Sequence, residues 1–166
     1  MGCISDFGTG FAARIKGLAV GSVCAAVLIA ALPAPIFAAA ESSVSITLTG
    51  MRNSKGHVLL CVTSNPKAFP DCRKDTQAAR LVLNAKDVAA GEVTHVTVEG
   101  PGTYAIAAVH DENGNGKLDT VLMMPHEGFG FSRNPAIRFG PPKFKNASFA
   151  VGTEVVTQKV KMKYML

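Results

Sequence analysis

The sequence lacks the motifs by which many enzyme classes are recognised. It contains no nucleophile elbow, no phosphate-binding glycine loop and no paired-carboxylate arrangement. The glycines of Gly128-Phe129-Gly130 do not lead from a strand into a helix, so they do not form a nucleotide-binding turn. These absences predict that the protein is not an enzyme.

Charge of either sign is not concentrated in any part of the chain. The 17 Lys and Arg and 12 Asp and Glu are scattered and leave a formal net charge of +5. No Arg-rich cluster with interleaved aromatic residues is present, which excludes a typical nucleic-acid-binding protein. Lys159, Lys161 and Lys163 alternate along the last predicted strand, so we expect them on one solvated face.

No charged residue occurs between positions 17 and 40. Arg14 and Lys16 precede this apolar run, and two prolines and a triple-alanine cleavage site close it. The pattern predicts a signal peptide over residues 1–40 that is cleaved near Ala40, and a mature protein that is periplasmic or secreted. An uncleaved anchor is the alternative, but the prolines disfavour it, so we expect no stable membrane insertion after cleavage.

Cysteine is scarce in the predicted mature chain. Two of the four cysteines, Cys3 and Cys24, lie in the predicted signal peptide, which leaves Cys61 and Cys72. An even pair in an oxidising compartment predicts a disulfide. The alternative is two unpaired thiols.

Helical periodicity is missing from the predicted mature chain, and alternation with a period of two dominates. About seven short strands are predicted, near residues 43–49, 57–62, 81–83, 93–98, 104–109, 147–151 and 156–164. They indicate an all-β protein: a single antiparallel β-sandwich domain over residues 41–166, of the immunoglobulin-like kind.

A connection of unusual length, residues 111–146, interrupts this pattern. Connections of such length are usually functional or disordered, and the phenylalanines in this one favour an ordered, packed segment. Phe129, Phe131, Arg133 and Arg138 are candidates for a binding surface on it. The alternative, which we favour, is that the phenylalanines cover the open end of the sandwich and the arginines pair with carboxylates.

Side-chain oxygens recur at alternate positions at the start of this connection, on Asp111, Asn113, Asn115 and Asp119. They occupy positions 1, 3, 5 and 9 of a calcium loop, with Gly116 at position 6 and the carbonyl of Lys117 at position 7. The cofactor predicted from this pattern is calcium.

The calcium pattern is incomplete, and two other interpretations stay open. Leu122 stands where a bidentate glutamate is expected, so Glu127 is a candidate for an additional ligand from further along the chain. The run also contains two Asn-Gly pairs, which form tight turns without any metal. A metal-dependent enzyme or metal-handling protein that uses His110, His126 and Glu127 is the alternative function, although their spacing matches no zinc signature.

Several blocks of this sequence occur together, in the same order, in a known family. They are residues 102–107, 110–119, Pro125, 127–132 and 140–144. The chain resembles the bacterial family known as domain of unknown function 2141 over nearly all of its predicted mature length. The resemblance implies a small exported protein but no activity, so the predicted function is a cell-envelope module whose ligand or protein partner is unknown. The Gly-Thr-Tyr entry to the fifth strand is also similar to transthyretin-like sandwiches, which is a likeness of fold only.

Processing of the N-terminus is the first testable prediction. Mass spectrometry of the exported protein should find a mature N-terminus close to Glu41, because the alanine triplet ends there. An intact N-terminus recovered from the membrane fraction would contradict the predicted cleavage.

Overall fold

A computed structural model describes residues 42–122, 124–137 and 140–166. The predicted signal peptide lies outside these residues. Ten strands and two one-turn helices follow in chain order: β1 Ser42–Thr49, β2 His57–Thr63, β3 Ala79–Asn84, α1 Ala85–Ala89, β4 Val93–Val98, β5 Gly102–Asp111, β6 Thr120–Val121, β7 Met124–Pro125, β8 Gly128–Phe131, α2 Phe144–Ala147, β9 Phe149–Val151 and β10 Val156–Lys161.

The first sheet, sheet A, has the order β10-β1-β4. β1 pairs antiparallel with β4 and parallel with β10, so Val44 lies between Val96 and Val156. Alternation along β1 directs Val44, Ile46 and Leu48 inward, where each is at most 4% exposed. The outward residues are serines and threonines, which agrees with one covered and one solvated face.

The second sheet, sheet B, has the order β3-β2-β5-β8, and β9 pairs with the start of β5. All of its pairings are antiparallel. The even-numbered residues of β2 and β5 face sheet A; among them Val58 and Ile106 are fully buried. They join the inward residues of β1 in one hydrophobic core, so the two sheets pack face to face as a β-sandwich.

Sheet B also carries a second apolar cluster on its outer face. Its buried members are Phe69, Ala105, Ala107, Phe129, Phe131 and Ala147. The ring of Phe69 meets those of Phe131 and Phe144 edge to face, at centroid distances of 5.8 and 5.9 Å. The connections after β2 and β8 therefore cover part of the sheet, and this outer cluster holds them against it.

Strand β8 has glycine on one face and phenylalanine on the other. A Cβ atom at Gly130 would lie 2.8 Å from Val160 Cγ1, and one at Gly128 would overlap the ring of Tyr164. Only glycine allows the chain end to approach this closely. The alternate residues, Phe129 and Phe131, point outward into the outer cluster.

The predicted all-β sandwich is confirmed, with three differences in detail. The described residues form ten strands instead of about seven, because residues 111–146 contain β6, β7, β8 and most of helix α2 and are not one continuous loop. The pairing of β1 with β10 is parallel, so the sandwich is not wholly antiparallel. Ala147, expected in a strand, ends α2.

The disulfide predicted between Cys61 and Cys72 is present, with 6.3 Å between the two Cα atoms. It connects β2 to the turns that follow it. In the part of the chain that the structure describes, no helix combines the length and the apolar character needed to cross a membrane.

Removal of this disulfide should destabilise the fold. The Cys61→Ala/Cys72→Ala variant should lose about 3 kcal/mol in urea unfolding, because the bridge restricts a short loop in the unfolded chain. A reducing agent should lower the stability of the parent protein towards that of the variant and leave the variant unchanged. Two titratable thiols in the native parent would contradict the bridge.

Candidate functional site

The loop that follows β5, residues 111–119, is the candidate site. β5 lies between β2 and β8, and its last residue, Asp111, pairs with His57 of β2. Asp111 is 1% exposed. The first predicted ligand therefore stands at the end of a central strand, in a fixed and buried position.

The Asp111 carboxylate organises the backbone of the loop. Its Oδ1 accepts hydrogen bonds from the backbone nitrogens of Gly114 (2.8 Å) and Asn115 (3.0 Å), and its Oδ2 accepts one from Gly116 (2.7 Å). Gly114 and Gly116 have φ values of 75° and 78°, a region that favours glycine. Three N–H groups thus converge on one carboxylate and wrap the chain around it.

Asn113 and Asn115 connect the two sides of the loop. Each side-chain oxygen accepts the backbone N–H two residues later, at 3.0 and 3.1 Å. Their amide nitrogens both donate to Oδ2 of Asp119, at 2.7 and 2.8 Å. The predicted positions 3, 5 and 9 are therefore brought together, with hydrogen bonds between them.

Asp119 is the accessible carboxylate of the loop, with 32% of its side chain exposed. The amides of Asn115 and Asn113 lower its pKa, because they stabilise the charged form. Lys117 Nζ lies 3.8 Å from Oδ1 of Asp119 and contributes in the same direction. The lysine also competes with any cation for this carboxylate.

Glu127, predicted as an additional metal ligand, folds back onto the loop and is 2% exposed. Its Oε1 accepts the backbone N–H of Glu112 at 2.9 Å, and its Oε2 accepts that of Asp119 at 3.0 Å. One buried carboxylate therefore joins the beginning and the end of the loop. In this arrangement it binds backbone rather than a metal.

The side-chain oxygens of this loop are of the kinds that a hard cation takes as ligands. Two carboxylates and two amides lie on one turn of chain, and calcium takes oxygen ligands of these types in flexible geometry. The Asp111 oxygens already accept three N–H groups, so Asp119 is the oxygen donor most available to an incoming ion. Binding would require the two asparagine amides to turn from Asp119 and present oxygen.

His110, His126 and Glu127 are not brought around a common point. His110 is fully buried; its Nε2 donates to the carbonyl of Lys55 (2.8 Å), and its Nδ1 accepts from the hydroxyl of Tyr164 (2.8 Å). His126 is exposed. Across residues 42–122, 124–137 and 140–166, no three His, Cys, Asp or Glu side chains form a metal-binding group. A metal-dependent enzyme built on these residues stays a prediction, and metal binding would have to break the bonds of His110.

Arg52 is the residue beside the loop that sequence reasoning missed. Its Nε and Nη2 each donate to a carboxylate oxygen of Glu112 at 2.7 Å, and its Nη1 donates to the carbonyl of Leu166 at 2.6 Å. The guanidinium also lies 4.6 Å from the centre of the Tyr164 ring. Arg52 thereby connects the loop to the chain end. A single arginine between two strands gives no sequence signal for this role.

The residues predicted to form a binding surface do not all lie together in the structure. Phe129 and Phe131 are 5% and 8% exposed and belong to the outer cluster. Arg133 is exposed and donates to the carbonyl of Ser148 at 3.1 Å. Arg138 lies outside the described residues. The two phenylalanines therefore lie on the outer face of sheet B, so the expectation that they cover an open end of the sandwich is wrong.

Comparison with known proteins identifies a family for this chain. The model of a family described as an uncharacterized protein conserved in bacteria, DUF2141, matches residues 46–159. No curated protein and no solved structure matches the chain. The matched range contains the whole 111–119 loop and all strands of the two sheets except the start of β1 and the end of β10.

The Arg52–Glu112 pair should make stability depend on pH. Hydrogen bonds from Arg52, and then from Asn53, lower the pKa of Glu112 below its unfolded value. The stabilisation is therefore present above the unfolded pKa and is lost as the pH falls through the folded pKa. Glu112→Gln should cost roughly 1–2 kcal/mol at pH 7, and the difference from the parent should shrink near pH 3.

Urea unfolding at several pH values measures this effect. Glu154→Gln removes an exposed carboxylate elsewhere and serves as the matched control, with little change expected at any pH. A Glu112→Gln cost that is the same at pH 3 and pH 7 would show that the ion pair is not its source.

Proposed function

The chain belongs to the bacterial family DUF2141, and we propose that it is an exported cell-envelope β-sandwich module whose 111–119 loop binds calcium. The module binds an envelope ligand or protein and is not an enzyme. Two grounds support it: the expected signal peptide and the geometry of the loop.

Export is supported by the cysteines and by the N-terminal pattern. Cys61 and Cys72 form a disulfide, and such bonds persist mainly in oxidising compartments. The uncharged run before position 41 follows two basic residues, as signal peptides do. Together they favour a periplasmic or secreted protein.

Calcium binding is supported most directly by the position of Asp119. This partly exposed carboxylate faces the amides of Asn113 and Asn115, while Asp111 holds the rest of the loop in place. A cation would neutralise two carboxylates on one turn of chain. With so few charged ligands, and with Lys117 nearby, the expected dissociation constant is on the order of 10⁻⁴–10⁻³ M, the range of weak extracellular calcium modules.

Calcium should raise the melting temperature of the folded protein. At ten times its dissociation constant, an ion that binds only the folded state adds roughly 1.4 kcal/mol, or a few degrees in a domain of this size. Asp119→Asn should abolish the rise, because it removes the accessible charge but keeps the side-chain shape. Calorimetry and amide spectra of residues 111–119 measure both effects.

Three controls separate calcium binding from general charge effects. Asp87→Asn removes an exposed carboxylate from helix α1 and should leave the rise intact. Glu112→Gln should lower stability but keep the calcium response, because Glu112 faces Arg52 and not the loop interior. Magnesium should act more weakly, because it demands tighter octahedral geometry. If millimolar calcium changes neither the melting temperature nor the spectra, the loop is a pair of Asn-Gly turns and the calcium proposal is wrong.

A further inference from the structure

The outer face of sheet B carries an open groove beside the outer cluster. Its volume is about 950 Å³, which lies within the range of small-ligand pockets. Its floor crosses all four strands of the sheet, β3, β2, β5 and β8. Three strand spacings make this floor about 14 Å wide.

The floor is built from two rows of outward-facing residues. One row runs Val82, Leu59, Val109 and Phe129 across the four strands. The neighbouring row runs Arg80, Cys61, Ala107 and Phe131. Seven of these eight side chains are apolar or belong to the disulfide, so the charge of Arg80 stands alone at one edge of the floor.

The charged residues that line the groove are mainly basic. Arg73, Arg80 and Lys117 line it, while Asp71 is the single acidic residue in the described part of the lining. Arg73 is already paired with Asp71, and Lys117 is near Asp119. Arg80 is exposed and, among the described residues, makes no side-chain hydrogen bond or ion pair. It is therefore the cation available to a ligand.

Exposed apolar surface also occurs on the floor of the groove itself. Val82 is 68% exposed, and Thr120 and Pro125 of the β6–β7 hairpin line the groove. An exposed apolar side chain on a concave floor fits a site that takes an apolar ligand.

We propose that this groove binds a free fatty acid, with the carboxylate at Arg80 and the alkyl chain across the apolar floor towards Phe129 and Phe131. The basic lining selects an anion, and the apolar rows select an uncharged chain. The groove lies on the face of the sheet rather than along a strand edge, so it offers an extended peptide no backbone partners.

This inference gives a ligand class to the exported module proposed above and rests on that proposal. The apolar floor of the groove and Arg80 belong to the strands of sheet B, although Lys117 of the 111–119 loop also lines the groove. The binding experiment is therefore done in calcium-free buffer. If fatty acids fail to bind while calcium still stabilises the protein, the ligand assignment alone is wrong.

Isothermal titration with monomeric octanoate, decanoate and laurate tests the proposal. The parent protein should bind each at one saturable site, with affinity rising about fourfold for each added methylene group. Decanol should bind about tenfold more weakly than decanoate, because it lacks the charge that Arg80 recognises. Amide spectra should place the changes on β2, β3, β5 and β8.

Two substitutions assign the site, and melting curves verify that both variants are folded. Arg80→Gln should weaken laurate binding about tenfold and remove the preference for decanoate over decanol. Val82→Glu places a carboxylate at an exposed position two residues from Arg80 and should weaken laurate binding at least as much. Lys86→Gln removes an exposed cation from helix α1, outside the groove lining, and should bind laurate as the parent does.

Three results would overturn the assignment. One is the absence of saturable laurate binding to a parent protein with a normal melting curve. Another is equal affinity for decanol and decanoate. The third is cosedimentation with anionic phospholipid vesicles without binding of monomeric laurate, which would identify a membrane surface as the partner.

Discussion

The buried carboxylate of Glu127 is the interaction on which the loop side of this molecule depends. It accepts one backbone N–H from each end of the 111–119 loop and stands one residue before β8. If it were removed, two N–H groups would lose their acceptor in a region with little access to water, which is costly. Glu127 thus fixes both ends of the loop to the residue that precedes β8, while Asp111 holds the interior of the loop.

Much of the fold could be predicted from local patterns in the sequence. β4 was predicted with its observed bounds from its Val and Thr content, and β2 to within one residue from a run that is apolar on both faces. β8 escaped prediction because its inward residues are glycines, which leave no hydrophobic signal although they are fully covered. The burial of β8 depends on the close approach of Tyr164, which is evident only in the folded structure.

The residues of the candidate site could be predicted from the sequence, but the hydrogen bonds that Glu127 and Arg52 make could not. The spacing from Asp111 to Asp119 placed four polar side chains on one loop, and the structure brings them together. The role of Arg52 depends on contacts with residues 60 and 114 positions away, and that of Glu127 on contacts 8 and 15 positions away. Neither residue belongs to a local pattern, so spacing alone could suggest Glu127 only as a distant ligand and gave no indication of Arg52.

The central place of β1 in sheet A has a consequence for how the protein is made. β1 opens the described chain, yet one of its two neighbours is β10, and the hydroxyl of Ser42 donates to the carbonyl of Gly152, 110 positions later. A chain that emerges from a ribosome or a membrane channel N-terminus first must therefore keep β1 without this partner until almost all of it has emerged. Such long-range closure slows folding and leaves a strand edge open to other chains during synthesis.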